Sequence, residues 1–282
     1  KADPNVGEEV IETVWEYNVN YQDEFQIKRM LPLRVKRTTH QWSGSKTDEN
    51  YIIHEYVIKN ISQEIKAVVP PTRFVADSLL DVYIILNYGL HSNSRSWSVL
   101  FPSLTPGARN TWFFSNASKR LIYGFATDYP ESNNSNESFG LVNSFGPIIN
   151  GVPSGEYLAP AYTGYKLLYS SPNKLNEISK VNLYGWSAAS NSIDLSGPFT
   201  NLGSLEAQYA AMKDIRLTSS FVASSGDNVY MRKSRMWSMM SLGPWDILPG
   251  DSIYFAIAEI VNGVDYNIAI QPKNYPINTI NS

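Results

Sequence analysis

The chain has 282 residues, carries 23 Lys and Arg against 26 Asp and Glu for a formal charge of −3, and contains no cysteine. That balance excludes a nucleic-acid surface, because neutralising phosphates needs concentrated Lys and Arg. The missing cysteines exclude disulfides, thiolate metal sites, cysteine nucleophiles and c-type haem attachment together.

Hydrophobic content of 43% with 17% charged residues belongs to a globular chain, and 18 Tyr, 11 Phe and 7 Trp favour strands over helices. We read residues 1–282 as a single domain, a large antiparallel β-sandwich with one short helix, an all-β fold, with 1–9 as an N-terminal extension. No apolar run reaches the roughly 18 residues of a membrane helix, so no membrane-spanning segment is expected. The chain begins at Lys1, which fits either a removed signal peptide or a fragment of something longer.

From Val10 to Tyr21, Ile11, Thr13, Trp15, Tyr17, Val19 and Tyr21 alternate with mostly polar residues, the period of a half-buried strand. Met30 to Thr39 predicts a second strand with Leu31, Leu33 and Val35 inward and Arg34 and Lys36 in water. After a polar turn, Tyr51 to Asn60 predicts a strand with Ile52, His54, Tyr56 and Ile58 on one face. Ile65 to Val69 predicts a segment stopped by Pro70-Pro71, which cannot donate to a ladder. Val82 to Leu86, Leu121 to Thr127 and Tyr165 to Ser170 predict further strands, and Asp128 to Ser138 a polar loop. Ser204 to Lys213, with Leu205, Tyr209 and Met212 at helical spacing, predicts the helix, lying over an edge or end of a sheet.

Ser238 to Gly263 organises the rest. Pro249-Gly250 supplies the locked φ and tolerated positive φ of a type II turn. The apolar run Ser252 to Val261 then predicts a strand covered on both faces. Leu242, Trp245, Leu248, Ile253, Phe255 and Ile257 are expected in the core and turn that close the fold.

The run Ser241-Leu242-Gly243-Pro244-Trp245, then Leu248-Pro249-Gly250-Asp251-Ser252, resembles the S-x-G-P-[FW]-x-L-x-P-G-[DE]-S signature of large secreted β-rich proteins of Bacteroidota and related phyla, of the T9SS-associated type. Tyr51–Ser62, Asp81–Gly89 and Tyr162–Pro172 are similar to three further strands of that family, in the right order. The resemblance implies secretion or the outer cell surface, and a β-rich fold. It departs where family members carry an Asp-rich stretch able to hold calcium: Asn87 to Asn93 has no carboxylate, so calcium is not expected there.

Catalytic constellations are scarce. His40, His54 and His91 lack zinc-ligand spacing, and His54 is expected as a satisfied core histidine. Counting leaves a Ser-His-Asp triad open, but no G-x-S-x-G elbow exists. Asp128, Glu131, Glu156 and Glu206 could supply paired carboxylates, yet nothing marks a pair. Trp97, Trp112, Tyr184 and Trp186, in Ser, Asn and Gly-rich surroundings, are the candidate ligand or partner contacts, as sugar platforms, interface anchors or plain core. Asn-x-Ser sequons stand at Asn60, Asn116, Asn133 and Asn136, and Asp-Ser-aliphatic triplets at Asp77 and Asp251. Under the family resemblance, Asp77-Ser78 is the candidate glycosylation site.

These observations lead to an expected extracellular or cell-surface protein that is not an enzyme, needs no cofactor or metal, and acts in binding or assembly. Its expected partners are other surface proteins or further copies of itself, or glycans. A carbohydrate-binding module and an unrecognised hydrolase are the alternatives.

Overall fold

The computed structural model describes residues 9–20, 30–44, 48–88, 111–116, 119–126, 148–149, 152–153, 161–177, 182–188, 205–213 and 235–263. In chain order the strands are β1 (Glu9–Glu16), β2 (Leu33–Gln41), β3 (Tyr51–Asn60), β4 (Leu79–Tyr88), β5 (Thr111–Asn116) and β6 (Leu121–Ala126). They continue with β7 (Ile148–Ile149), β8 (Val152–Pro153), β9 (Ala161–Ser170), β10 (Asn182–Ala188), β11 (Arg235–Ile247) and β12 (Ser252–Gly263). Helix α1 is Ser62–Lys66 and helix α2 is Leu205–Lys213. The fold is all-β and antiparallel, the class the sequence predicts.

Backbone contacts divide the chain into two compact units. The first comprises Lys1–Ile84, Leu167–Val181 and Leu242–Glu259. Its main sheet runs β1-β2-β3-β12-β9, and the second half of β11 lies beside β4. Registers are continuous: Ile11 faces Thr39 and then His54, Thr13 faces Arg37 and then Tyr56, and Trp15 faces Val35 and then Ile58. Because cross-strand neighbours share a face, these residues form the inner face, which continues into Phe255 stacked on Tyr56 with ring centroids 4.7 Å apart. Ile58, Ile253, Phe255 and Ile257 are buried there. The outer face is laced with charge: Arg34 binds Glu16 and Glu64, Lys36 binds Glu12, and Lys59 binds Glu64.

The closing motif builds a corner around Asn60, which is fully buried. Its Nδ2 donates to the Asp77 carbonyl at 2.6 Å and the Ile247 carbonyl at 2.9 Å, and its Oδ1 accepts from the Ser62 N–H at 3.0 Å. Its own N–H donates to the Asp251 carbonyl, and its carbonyl accepts from the Gly250 N–H at 2.9 Å. Gly250 has φ +88° and Asp251 N–H closes the turn onto the Leu248 carbonyl, as Pro-Gly predicts. Gly243 has φ +134°, and a Cβ there would stand 2.6 Å from the Val82 carbonyl oxygen, so only glycine lets β11 approach β4 this closely. Trp245, 2% exposed, donates its indole N–H to the Ser171 carbonyl.

Several expectations need correcting. Leu248 is 49% exposed and belongs to the turn, since the Pro-Gly reversal carries it outward. Leu31 is likewise exposed, two residues before β2 starts at Leu33. The first strand stops at Glu16, and Tyr17 turns into a separate cluster with Ile61, Ile65 and Val75. The segment before Pro70-Pro71 is the helical turn α1: Gln63, Glu64 and Lys66 lose little rotamer freedom in a helix, and Ile65 anchors it in that cluster.

The second unit comprises Ile85–Lys166, Asn182–Ser241 and Ile260–Ser282. In it β6 pairs with β5 and with the first half of β9, and β10 pairs with the first half of β11. Gly164 on β9 lies so near β6 that a Cβ would meet the Tyr123 Cβ at 2.8 Å. Tyr88 packs on the fully buried Tyr165 with ring centroids 4.2 Å apart. Helix α2 is the predicted helix, and its Met212 carbonyl accepts a hydrogen bond from the Ser241 hydroxyl of β11 at 2.9 Å. Among the described residues no helix is long and apolar enough to cross a membrane.

Candidate functional site

The candidate contacts drawn from the sequence fall in or near the second unit. Trp97 lies outside the described residues. Trp112 is on β5 opposite Phe125, while Tyr184 and Trp186 are on β10 opposite Met239 and Trp237. Their side chains lie outside what is described, so no common site is drawn from them. Asp77 and Ser78 are both exposed in the stretch leading into β4, with the Asp77 carboxylate held by Lys66. Asn133 and Asn136 lie outside the described residues. The Asn60 sequon is closed in the folded chain, because its amide nitrogen already serves two backbone carbonyls in a buried corner.

The polar constellation that strand order does assemble sits on the inner face of the first unit. Sheet order places β2, β3 and β12 side by side. Thr39 Oγ1 lies 2.9 Å from His54 Nδ1, and His54 Nε2 lies 3.3 Å from Glu259 Oε1. With both ring nitrogens engaged, His54 is 8% exposed and satisfied, as expected from its apolar neighbours. The row is hydroxyl, imidazole and carboxylate, a set that accepts and donates hydrogen bonds with little rearrangement.

One residue pair along the strands stands Arg37, opposite Thr13 and Tyr56. Its neighbours in sequence, Arg34 and Lys36, are paired with glutamates on the other face. Arg37 has no such pair among the described residues: its guanidinium lies over the Trp15 ring, 5.2 Å from the centroid, and its Nε–H is buried without an acceptor. The Nε–H is itself closed to solvent, but Arg37 as a whole is only half-buried, and a guanidinium without a carboxylate partner is a cation that an anionic ligand complements. The apolar surface completing the site is accessible, since Trp15 is 46% and Ile11 50% exposed.

This grouping escaped the sequence reading because Thr39, His54 and Glu259 are joined only by strand order. The available signal was the even spacing of Arg37 and Thr39 on one strand and of His54 and Tyr56 on the next. Among the described residues no group of three or more His, Cys, Asp or Glu could hold a metal ion.

No family model matches the chain, and no curated protein matches it. A solved structure that does match is that of an Escherichia coli K12 protein described as a "putative aldose 1-epimerase", with 9% identity and a TM-score of 0.31 over 92% of this chain and 67% of that one. The expectation of a chain that is not an enzyme is corrected by this match to a protein so described, and is dropped. A likeness this weak assigns no activity in its place.

Proposed function

We propose that the chain is a secreted or cell-surface protein that works by binding an acidic saccharide on the inner face of its first unit. The observation that carries this reading is Arg37, a half-buried guanidinium that has no carboxylate partner among the described residues and lies over an exposed tryptophan. A carboxylate is the natural complement of that donor. The Thr39 hydroxyl and the Glu259 carboxylate, which flank the buried His54, offer polar groups for neighbouring hydroxyls, and Trp15 an aromatic surface for the apolar face of a pyranose. The proposed compartment rests on the resemblance of the Ser241–Ser252 motif to secreted proteins of Bacteroidota.

Affinity electrophoresis tests the binding reading. Migration should be retarded in gels containing polygalacturonate and unaffected by neutral dextran. Arg37→Gln should abolish the retardation, whereas Lys36→Gln, which removes the same charge from the opposite face, should not. Equal loss in both variants, or no retardation at all, would overturn the proposal. Protease shaving of intact cells tests the compartment, since a chain protected until lysis is not on the surface.

A further inference from the structure

The β1 edge carries outward backbone groups that ligand binding does not use, although Trp15 and Ile11 on it also line the proposed site. Among the described residues β1 is the terminal strand of its sheet, and Val10, Ile11, Val14 and Trp15 are all half-exposed. An open edge with apolar side chains on both faces is a template for pairing with another strand. The Tyr17 N–H donates to the Leu33 carbonyl, so in this ladder the odd-numbered residues point their backbone groups at β2. By alternation, the N–H and C=O groups of Val10, Glu12, Val14 and Glu16 face outward.

We infer that two copies of the chain pair antiparallel through β1, about a two-fold axis at Thr13. The sequence of the edge selects both the occupant and the register. An axis at Thr13 sets Ile11 opposite Trp15 of the second copy, and the reverse, giving two aromatic to β-branched pairs on the inner face. It sets Glu12 opposite Val14 and Glu16 opposite Val10, so all outward backbone groups find partners and no carboxylate faces another. Moving the axis to Glu12 puts that carboxylate opposite its own copy, and moving it to Val14 puts Glu12 opposite Glu16. An axis normal to the sheet also keeps inner face beside inner face, so both copies present Arg37 on the same side of one continuous sheet. Trp15 serves both readings, and the Thr13→Cys cross-link separates this association from saccharide binding, since it reads the register alone, as Arg37→Gln reads binding alone.

The absence of cysteine makes the register directly testable in the full-length chain. In this arrangement the two Thr13 residues form a non-hydrogen-bonded pair, whose Cα separation of about 4.5 Å falls within disulfide range. Thr13→Cys should give a disulfide-linked dimer in high yield under mild oxidation, and Glu12→Cys should not. Light scattering should give twice 31.7 kDa for the unmodified chain at about 100 µM, falling to a monomer in Trp15→Glu and in Ile11→Lys. A monomer at that concentration, or cross-linking as strong through Cys at position 12 as at 13, would overturn the inference. So would Thr13→Cys cross-linking that persists undiminished when Trp15→Glu is added, because that would mark random collision.

Discussion

Two regions of the first unit, the closing corner and the β1 edge, treat apolar side chains in opposite ways. At the closing corner, Trp245, Ile247, Ile253 and Asn60 are buried, and both side-chain groups of that asparagine are engaged. At β1, the apolar residues stand half in water and the neighbouring Arg37 keeps a donor without an acceptor. The corner keeps an unpartnered hydroxyl of its own, Ser62 Oγ, so what sets β1 apart is the exposure of its apolar side chains beside the Arg37 cation, and that is why binding is proposed at β1 and stability at the corner.

The sharpest way to break this comparison is to empty the corner. Trp245→Ala removes an almost fully buried indole and its hydrogen bond to Ser171, and should cost about 3–5 kcal/mol in urea denaturation followed by far-UV circular dichroism. Asn60→Ala comes next: it strands the Asp77 and Ile247 carbonyls and the Ser62 N–H, an expected loss of about 2–3 kcal/mol. A value below about 1 kcal/mol for either would mean that the corner is not what closes the fold.

The corner was the more legible of the two regions because its determinants are local. Pro249-Gly250 names its own turn, Gly243 marks a close backbone approach, and β12 announces itself by a run of apolar residues. Tyr51–Asn60 was also read to the residue, since a polar turn precedes it and it is rich in β-branched and aromatic residues. What could not be read was which strands become neighbours. Thr39, His54 and Glu259 meet only because β2, β3 and β12 lie side by side, and β1 reads as half-buried because period-2 alternation looks the same on an edge strand as inside a sheet. Asn60 shows the converse failure: its triplet looks like a modification signal, while its role comes from carbonyls supplied by two other stretches of chain.

At β1 the expected pattern reverses, with a small effect on stability and a large one on binding. Trp15→Ala removes a half-exposed ring and one cation–π contact, and should cost about 1 kcal/mol or less. The same variant should lose retardation in polygalacturonate gels. A loss of stability rivalling that of Trp245→Ala would make Trp15 a core residue and remove it from the site.

The smallest effect belongs to the outer face, whose ion pairs lie behind both regions. Glu64 accepts from Lys59 at 2.8 Å and from Arg34 at 2.9 Å, and the hydrogen bond from Lys59, followed by that from Arg34, holds its carboxyl below the usual carboxylate range. The hydrogen bond to Glu16 chiefly raises Arg34 above its ordinary value, so the guanidinium stays charged throughout the acid range. A carboxyl with a depressed folded value stabilises fully above its unfolded value, about 4.3, and loses that contribution as pH falls through the folded one. Wild type should therefore exceed Glu64→Gln in stability at neutral pH, and the two should converge below about pH 4. Because Glu64 is close to half exposed, the gap should stay within the roughly 0.2–1 kcal/mol of surface pairs and shrink in 1 M salt. Urea midpoints at several pH values measure it. A gap that is independent of pH would show that Glu64 acts through α1 packing, which would tie the outer face to the corner instead of leaving it a solvated surface.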